Sequence, residues 1–230
     1  MKELILNSTY FGVILSIGTY LIGLYIQKKL KWAVFNPLLI SALLTIGFLV
    51  FFKIDYKTYS ESSKYLTYFL TPVTVCLAVP LYEQLSLLKK NMAAVIISIV
   101  VGVLVSAVSI FIMSLLFNLT YEQYVTLLPK SITTAIGIGL SDELGGMETI
   151  TVAAITFTGI LGNVGAQFIL KLFKINNPIA KGLAIGTSSH ALGTAKAIEL
   201  GDVEGAMSGL SIAVAGLMTV VAASVFAMFY

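Results

Sequence analysis

The sequence predicts an all-α polytopic membrane protein, with about six full spans plus two re-entrant or broken-helix hairpins forming an inverted repeat. Three observations predict it. The chain of 230 residues is 58% hydrophobic and 11% charged, with a mean hydropathy of +0.97, and so lacks the polar surface that a water-soluble domain needs. Its apolar runs are continuous and not alternating, which argues against a transmembrane β-barrel. One passage is also duplicated. Thr134-Ala135-Ile136-Gly137, Glu143-Leu144-Gly145 and Glu148 recur fifty-six residues later as His190-Ala191-Leu192-Gly193, Glu199-Leu200-Gly201 and Glu204. Polar groups are costly at membrane depth, so a duplicated set of them is a candidate site.

The net charge of +3 comes from lysine alone, without any arginine, which argues against forked guanidinium recognition of phosphate or nucleic acid. The lysines are expected to set topology at the bilayer surface. A lone cysteine, Cys76, excludes an intramolecular disulfide and a CxxC metal site. Nothing at the N-terminus resembles a removable signal peptide, so the first apolar run is expected to stay.

The first span covers residues 10–26 and stops at Lys28, Lys29 and Lys31, with Trp32 placed as an interfacial ring. The second, 35–52, opens on Asn36-Pro37, a common helix start, and a polar loop at 53–64 follows. Residues 65–82 carry Pro72 and Pro80, which kink or break the third span. That break is either a kink tolerated by neighbouring helices or an unwound piece facing a cavity. A short polar connection, 83–90, leads to a fourth span at 92–117.

Residues 121–146 are apolar but punctuated by Pro129, Lys130, Ser131, Thr133, Thr134 and glycines; 179–201 repeat the pattern after Asn177-Pro178. Smooth spans, 149–170 and 206–229, follow each of them. Each punctuated stretch is long enough to cross once, or to enter and leave on one side as two arms of about ten residues, too short to span. Re-entrant stretches with the N-terminus outside put Lys28, Lys29, Lys31, Lys89, Lys90, Lys171 and Lys174 all on the cytoplasmic side. The hairpins then enter from opposite faces, as in a secondary transporter. The chain divides accordingly into N-terminal helices (1–118), a scaffold with the broken third helix, and a duplicated hairpin-plus-helix transport unit (119–230).

The expected tips are Ser131 to Thr134 and Thr187 to His190, with Ser188 and Ser189 among the hydroxyls. Free backbone N–H groups at a helix break and uncharged hydroxyls suit a small carboxylate held weakly enough to be released. Ser, Thr and Gly also serve at close helix contacts, which is the plainer reading of any one of them. His190 is a candidate proton-coupling group, although a lone histidine also serves as a hydrogen-bonded packing residue. Lys130, Lys181 or Lys196 could neutralise an anion, or snorkel to the interface. Asn163 and Gln167, one turn apart, could complete the cavity, or simply bond neighbouring helices. Glu143, Glu148, Glu199 and Glu204 read as polar hairpin ends. Protease, hydrolase and nucleotide-binding motifs do not occur, and the sequence points to no enzyme, cofactor or metal site.

The block Leu127-Leu128-Pro129-Lys130-Ser131-Ile132-Thr133-Thr134-Ala135, then Glu143-Leu144-Gly145-Gly146, resembles the LrgB/CidB family. So do Ala180-Lys181-Gly182-Leu183 and Ser189-His190-Ala191-Leu192-Gly193-Thr194-Ala195-Lys196, with the likeness closer to the CidB branch. The family was first described as holin/antiholin-like modulators of murein hydrolases and bacterial cell death. Its plant relatives are similar to plastid glycolate/glycerate translocators, and bacterial members are linked to pyruvate movement. The resemblance thus implies a bacterial plasma-membrane carrier for small monocarboxylates (pyruvate, lactate, glycolate or glycerate), with a small LrgA/CidA-like membrane partner. The plastid proteins fuse that partner to the same chain; here it is expected to be a separate polypeptide or absent. The alternative is a holin/antiholin-like regulator of murein hydrolase activity and cell lysis. A wide holin-like pore would need a continuous polar face, which spans 10–26 and 92–117 lack. A homodimer is expected, since the apolar first spans have no other obvious use.

Overall fold

The computed structural model describes residues 8–30, 37–69, 72 and 82–230. Every regular element among them is helical. They fall into two compact units, one within Met1–Cys76 and one within Leu77–Tyr230. The fourth span therefore belongs to the same unit as the hairpins.

The first unit contains α1 (Phe11–Leu30), α2 (Pro37–Phe51), α3 (Tyr56–Ser63) and a 3-10 segment, Lys64–Phe69. Hydroxyls and small residues join its helices, because lipid leaves little hydrophobic drive between them. Thr19 Oγ1 on α1 lies 2.9 Å from Ser41 Oγ and 3.0 Å from Thr45 Oγ1 on α2. The full span expected at 35–52 is a described helix of 15 residues, roughly 22 Å long against a hydrocarbon core of about 30 Å. The expected polar loop at 53–64 proves to hold α3. Asp55 caps it by accepting from the Lys57 N–H, and its hydroxyls serve α1: Ser62 Oγ accepts from the Gly12 N–H at 2.9 Å and Tyr59 OH pairs with Ser16 Oγ at 2.8 Å. Most of the expected third span, including Pro80, lies outside the described residues.

The second unit runs α4 (Leu85–Lys90), α5 (Met92–Leu116), α6 (Tyr121–Leu127), α7 (Thr134–Glu143), α8 (Glu148–Leu172), α9 (Pro178–Leu200) and α10 (Asp202–Ala227). With α1, the helices α5, α8 and α10 are long and apolar enough to cross a membrane. Side chains buried every three or four residues on α5 (Val95, Ile99, Val103, Ala107, Ile110, Ser114) form its inward stripe. The first half of that stripe packs on Leu183 of α9 and Met207 of α10; further along, Ile110 packs with Tyr124, Val125 and Leu128.

Both punctuated stretches are hairpins. In the first, α6 enters after a Thr120–Gln123 capping box and α7 returns. Thr126 on the way in and Ser141 on the way out meet the same residue at the start of α8. Thr151 Oγ1 lies 2.9 Å from the Thr126 carbonyl oxygen and 2.7 Å from Ser141 Oγ. One turn deeper, Pro129 and Gly137 pack together beside Ile155. In the second, Asn177 caps α9 through the N–H groups of Ile179 and Ala180, with Pro178 at the first helical position. At His190 the chain leaves helical geometry (φ 43°, ψ −140°) and turns back. Gly182 going in lies against Glu204 of α10 and Ile198 coming out against Gly205, its neighbour, whereas Gly186 and Thr194, one turn deeper, both meet Ser208.

The duplication is one of contacts as well as letters. Thr126 touches Thr151 as Gly182 touches Met207, and Pro129 touches Gly137 as Ile185 touches Gly193, every pair shifted by fifty-six. The hairpins also enter from opposite ends. The first has its ends at the start of α8, while Leu200, at the exit of the second, packs with Leu170 near the end of α8. Both tips reach α8 between Ile155 and Asn163.

In a Cys76→Ala background, cysteines at Glu122 and Glu143 are expected to react with a membrane-impermeant maleimide from one face, and cysteines at Asn176 and Asp202 from the other. A crossing helix in either stretch would separate the members of a pair. At Gly186 a Cβ would collide with the Ser208 backbone, so Gly186→Ala should cost about 1–3 kcal/mol in detergent unfolding.

Candidate functional site

The tips and two long helices enclose one open-sided cavity of about 740 Å³. α5 contributes Ser98, Gly102, Ser106 and Ser109; the first hairpin contributes Lys130 and Ser131; α8 contributes Thr158, Leu161 and Gly162; the second hairpin contributes Thr187, Ser188 and Ser189. Close packing brings them together. A Cβ on Gly102 would strike the Thr187 methyl, and one on Gly162 would fall on the Ser189 hydroxyl. Glycine at those two places lets the second tip lie against both crossing helices.

Five of the residues expected from the sequence line this cavity: Lys130, Ser131, Thr187, Ser188 and Ser189. Lys130 Nζ donates to Ser131 Oγ at 3.0 Å, and Ser131 Oγ lies 3.4 Å from Ser106 Oγ. Ser188 Oγ donates to the Ala184 carbonyl at 2.8 Å and lies 3.0 Å from Ser189 Oγ. Thr187 Oγ1, on a side chain more than nine-tenths buried, has no hydrogen-bond partner among the described residues. Such a hydroxyl costs about 1–3 kcal/mol until something accepts from it or donates to it.

Charge separates the three candidate lysines. Lys181 lies 3.7 Å from Glu204, and Lys196 lies 2.7 Å from Glu199. Lys130 has no carboxylate partner among the described residues, and no Asp or Glu is among the side chains that line the cavity. Glu204, expected as a watery hairpin end, is instead buried at the mouth of the second hairpin beside Lys181. Its counterpart Glu148 is exposed.

The other four expected residues lie off the cavity wall. Thr133 and Thr134 begin α7. Asn163 Nδ2 donates to the Leu192 carbonyl at 2.7 Å, and the His190 ring lies 3.0 Å from the Ile155 carbonyl through Nε2. That carbonyl can only accept, so Nε2 carries the proton. These two side chains bind the second tip to α8, while Gln167 is exposed. Sequence reasoning missed Ser98, Ser106, Ser109 and Thr158. The available signal was Ser98, Gly102 and Ser106, one turn apart on an otherwise apolar helix.

His190 holds a backbone geometry that costs a non-glycine residue about 1–3 kcal/mol. His190→Gly loses the ring but relieves the backbone, whereas His190→Ala loses the ring and keeps the strain. The glycine variant should therefore melt above the alanine variant in detergent, and the wild type above both.

The chain can now be set beside known proteins. A model of the LrgB-like family matches residues 16–229. The antiholin-like protein LrgB of Bacillus subtilis (strain 168) is 37% identical over 220 residues, covering 95% of this chain and 95% of the relative. Those of Bacillus cereus (strain B4264) and Bacillus anthracis (strain CDC 684 / NRRL 3495) are 37% identical over 218 residues, 94% of this chain and 95% of each relative. No solved structure matches the chain. The resemblance carried by the hairpin motifs holds at the level of the family, under the LrgB name. On both the family match and the extent of that identity, this multi-pass membrane protein belongs to the LrgB-like family.

Proposed function

We propose that the chain is a secondary carrier of the bacterial plasma membrane for small monocarboxylates, of the pyruvate, lactate, glycolate or glycerate class. The observation that carries this reading is Lys130, an ammonium without a carboxylate partner among the described residues, in a cavity where the tips of two opposed hairpins meet. The carboxylate pairs with Lys130 and with the hydroxyls of Ser131 and Ser106, and Thr187 bonds a second oxygen. Charge-assisted hydrogen bonds in a water-poor site are strong, and a single one leaves the anion free to depart. Alternating access arises as the hairpin-bearing part rocks against the remaining helices, opening the site to one face at a time. His190 is placed to stiffen the tip, and its coupling to a proton remains part of the proposal.

A second reading rests on a different observation. The relatives are named antiholin-like proteins, and nothing in their names refers to a carboxylate. On that reading the chain restrains murein hydrolase activity and lysis, together with a small LrgA/CidA-like membrane partner and as a dimer. The two coincide in one protein if lysis responds to carboxylate overflow.

Purified protein in liposomes should exchange labelled pyruvate, lactate or glycolate. Lys130→Gln should slow that exchange at least tenfold, the loss of one charged hydrogen bond of about 1.5–3 kcal/mol. Wild-type rates in Ser131→Ala/Thr187→Ala would count against the tips as the site. No flux of any acid, with lysis control in cells unchanged by Lys130→Gln, would leave the antiholin-like reading alone standing.

A further inference from the structure

We infer that the cavity binds aliphatic monocarboxylates longer than three carbons, with the carboxylate at Lys130 and Thr187 and the hydrocarbon tail along an apolar wall. The inference rests on the carrier reading and deepens it. It starts from a mismatch of size. A three-carbon acid displaces about three waters, roughly 100 Å³, whereas the cavity holds about 740 Å³, within the range of about 300–1,000 Å³ typical for larger organic ligands.

The lining is also unevenly divided. Its only charged group is Lys130, close to Ser131 and Ser106. Val101, Val105, Leu161, Ile169, Leu183 and Ala184 add hydrocarbon to the lining, which holds no carboxylate and no second cation. Val105 and Leu161 are more than half exposed, so these side chains are not committed to the protein core. A second carboxylate on the ligand would face that hydrocarbon unpaired, which low-dielectric surroundings penalise heavily. The unpartnered hydroxyl of Thr187, more than nine-tenths buried, also lines the cavity and supplies a further polar contact for the head group. One cation and one long apolar wall select a monoanion with a tail.

The test is a binding series on the full-length protein in detergent, using acetate, butyrate, hexanoate and succinate. Each methylene buried should tighten binding by up to about fourfold, so hexanoate should bind at least tenfold more tightly than acetate, and succinate least. Lys130→Gln should abolish the series, and Ala184→Leu, which shortens the apolar arm, should flatten it. Equal affinities from acetate to hexanoate in the wild type would overturn the apolar arm while leaving the small-acid carrier intact. A series that rises equally in Lys130→Gln would overturn the site, reporting partition into detergent. Binding of none of the acids would overturn both this inference and the carrier reading.

Discussion

Every part of the second unit answers to one constraint: a helix broken at membrane depth exposes backbone N–H and C=O groups that hydrocarbon cannot bond. The chain breaks twice, between α6 and α7 and at His190, and both breaks are packed against protein. The glycines follow from this. Gly137, Gly159, Gly162, Gly182, Gly186 and Gly193 each stand where a Cβ would meet a neighbour too closely. A side chain at Gly193 would part the arms of the second hairpin, and side chains at the other five would force the hairpins away from α8 and α10, opening the breaks to lipid.

Packing of that kind makes the two repeats alike in shape but leaves them free to differ in chemistry. The first hairpin is tied to its following helix by hydroxyls, Thr126, Ser141 and Thr151. The second uses glycine contacts, one hydroxyl pair, Thr194 with Ser208, and one ion pair, Lys181 with Glu204. Residue 125, the counterpart of Lys181, is a buried valine. At the tips the division is sharper still: the first contributes an ammonium, the second a cluster of hydroxyls and the one strained histidine. A symmetric frame thus holds an asymmetric site, with charge on one side only.

Much of this frame was legible in the sequence because a repeat at fixed offset, broken by proline, glycine and hydroxyls, leaves a pattern that apolar spans do not. The Asn177-Pro178 start and the hairpin tips were readable for that reason. Side-chain direction was not. His190 and Ser189 are neighbours in sequence, yet the ring turns to the backbone of α8 and the hydroxyl to the cavity, because the left-handed φ at His190 swings them apart. Nor did composition reveal α3, whose polar residues look like a loop until α1 is present to bond them. The serines of α5 were hidden by their surroundings: an average over that helix is strongly apolar, and only the spacing of Ser98, Gly102 and Ser106 marks a face.

That face also bears on what kind of passage the unit offers. From Ser98 to Ser109 the cavity-lining polar groups on α5 extend eleven residues, about 16 Å of helix rise, roughly half the hydrocarbon thickness of about 30 Å. Beyond them the inward stripe of α5 has Val95 towards one end, and Ile110 followed by the single hydroxyl of Ser114 towards the other, with Val95 and Ile110 each in an apolar cluster. A water-filled lesion requires polar groups from one interface to the other, because every unlined stretch leaves water against hydrocarbon. A carrier requires only a confined polar patch at mid-depth whose two exits are shut by packing, so that a ligand must wait for one of them to yield. The polar groups on α5 cover a length that fits a confined patch and falls short of a continuous polar path from one interface to the other.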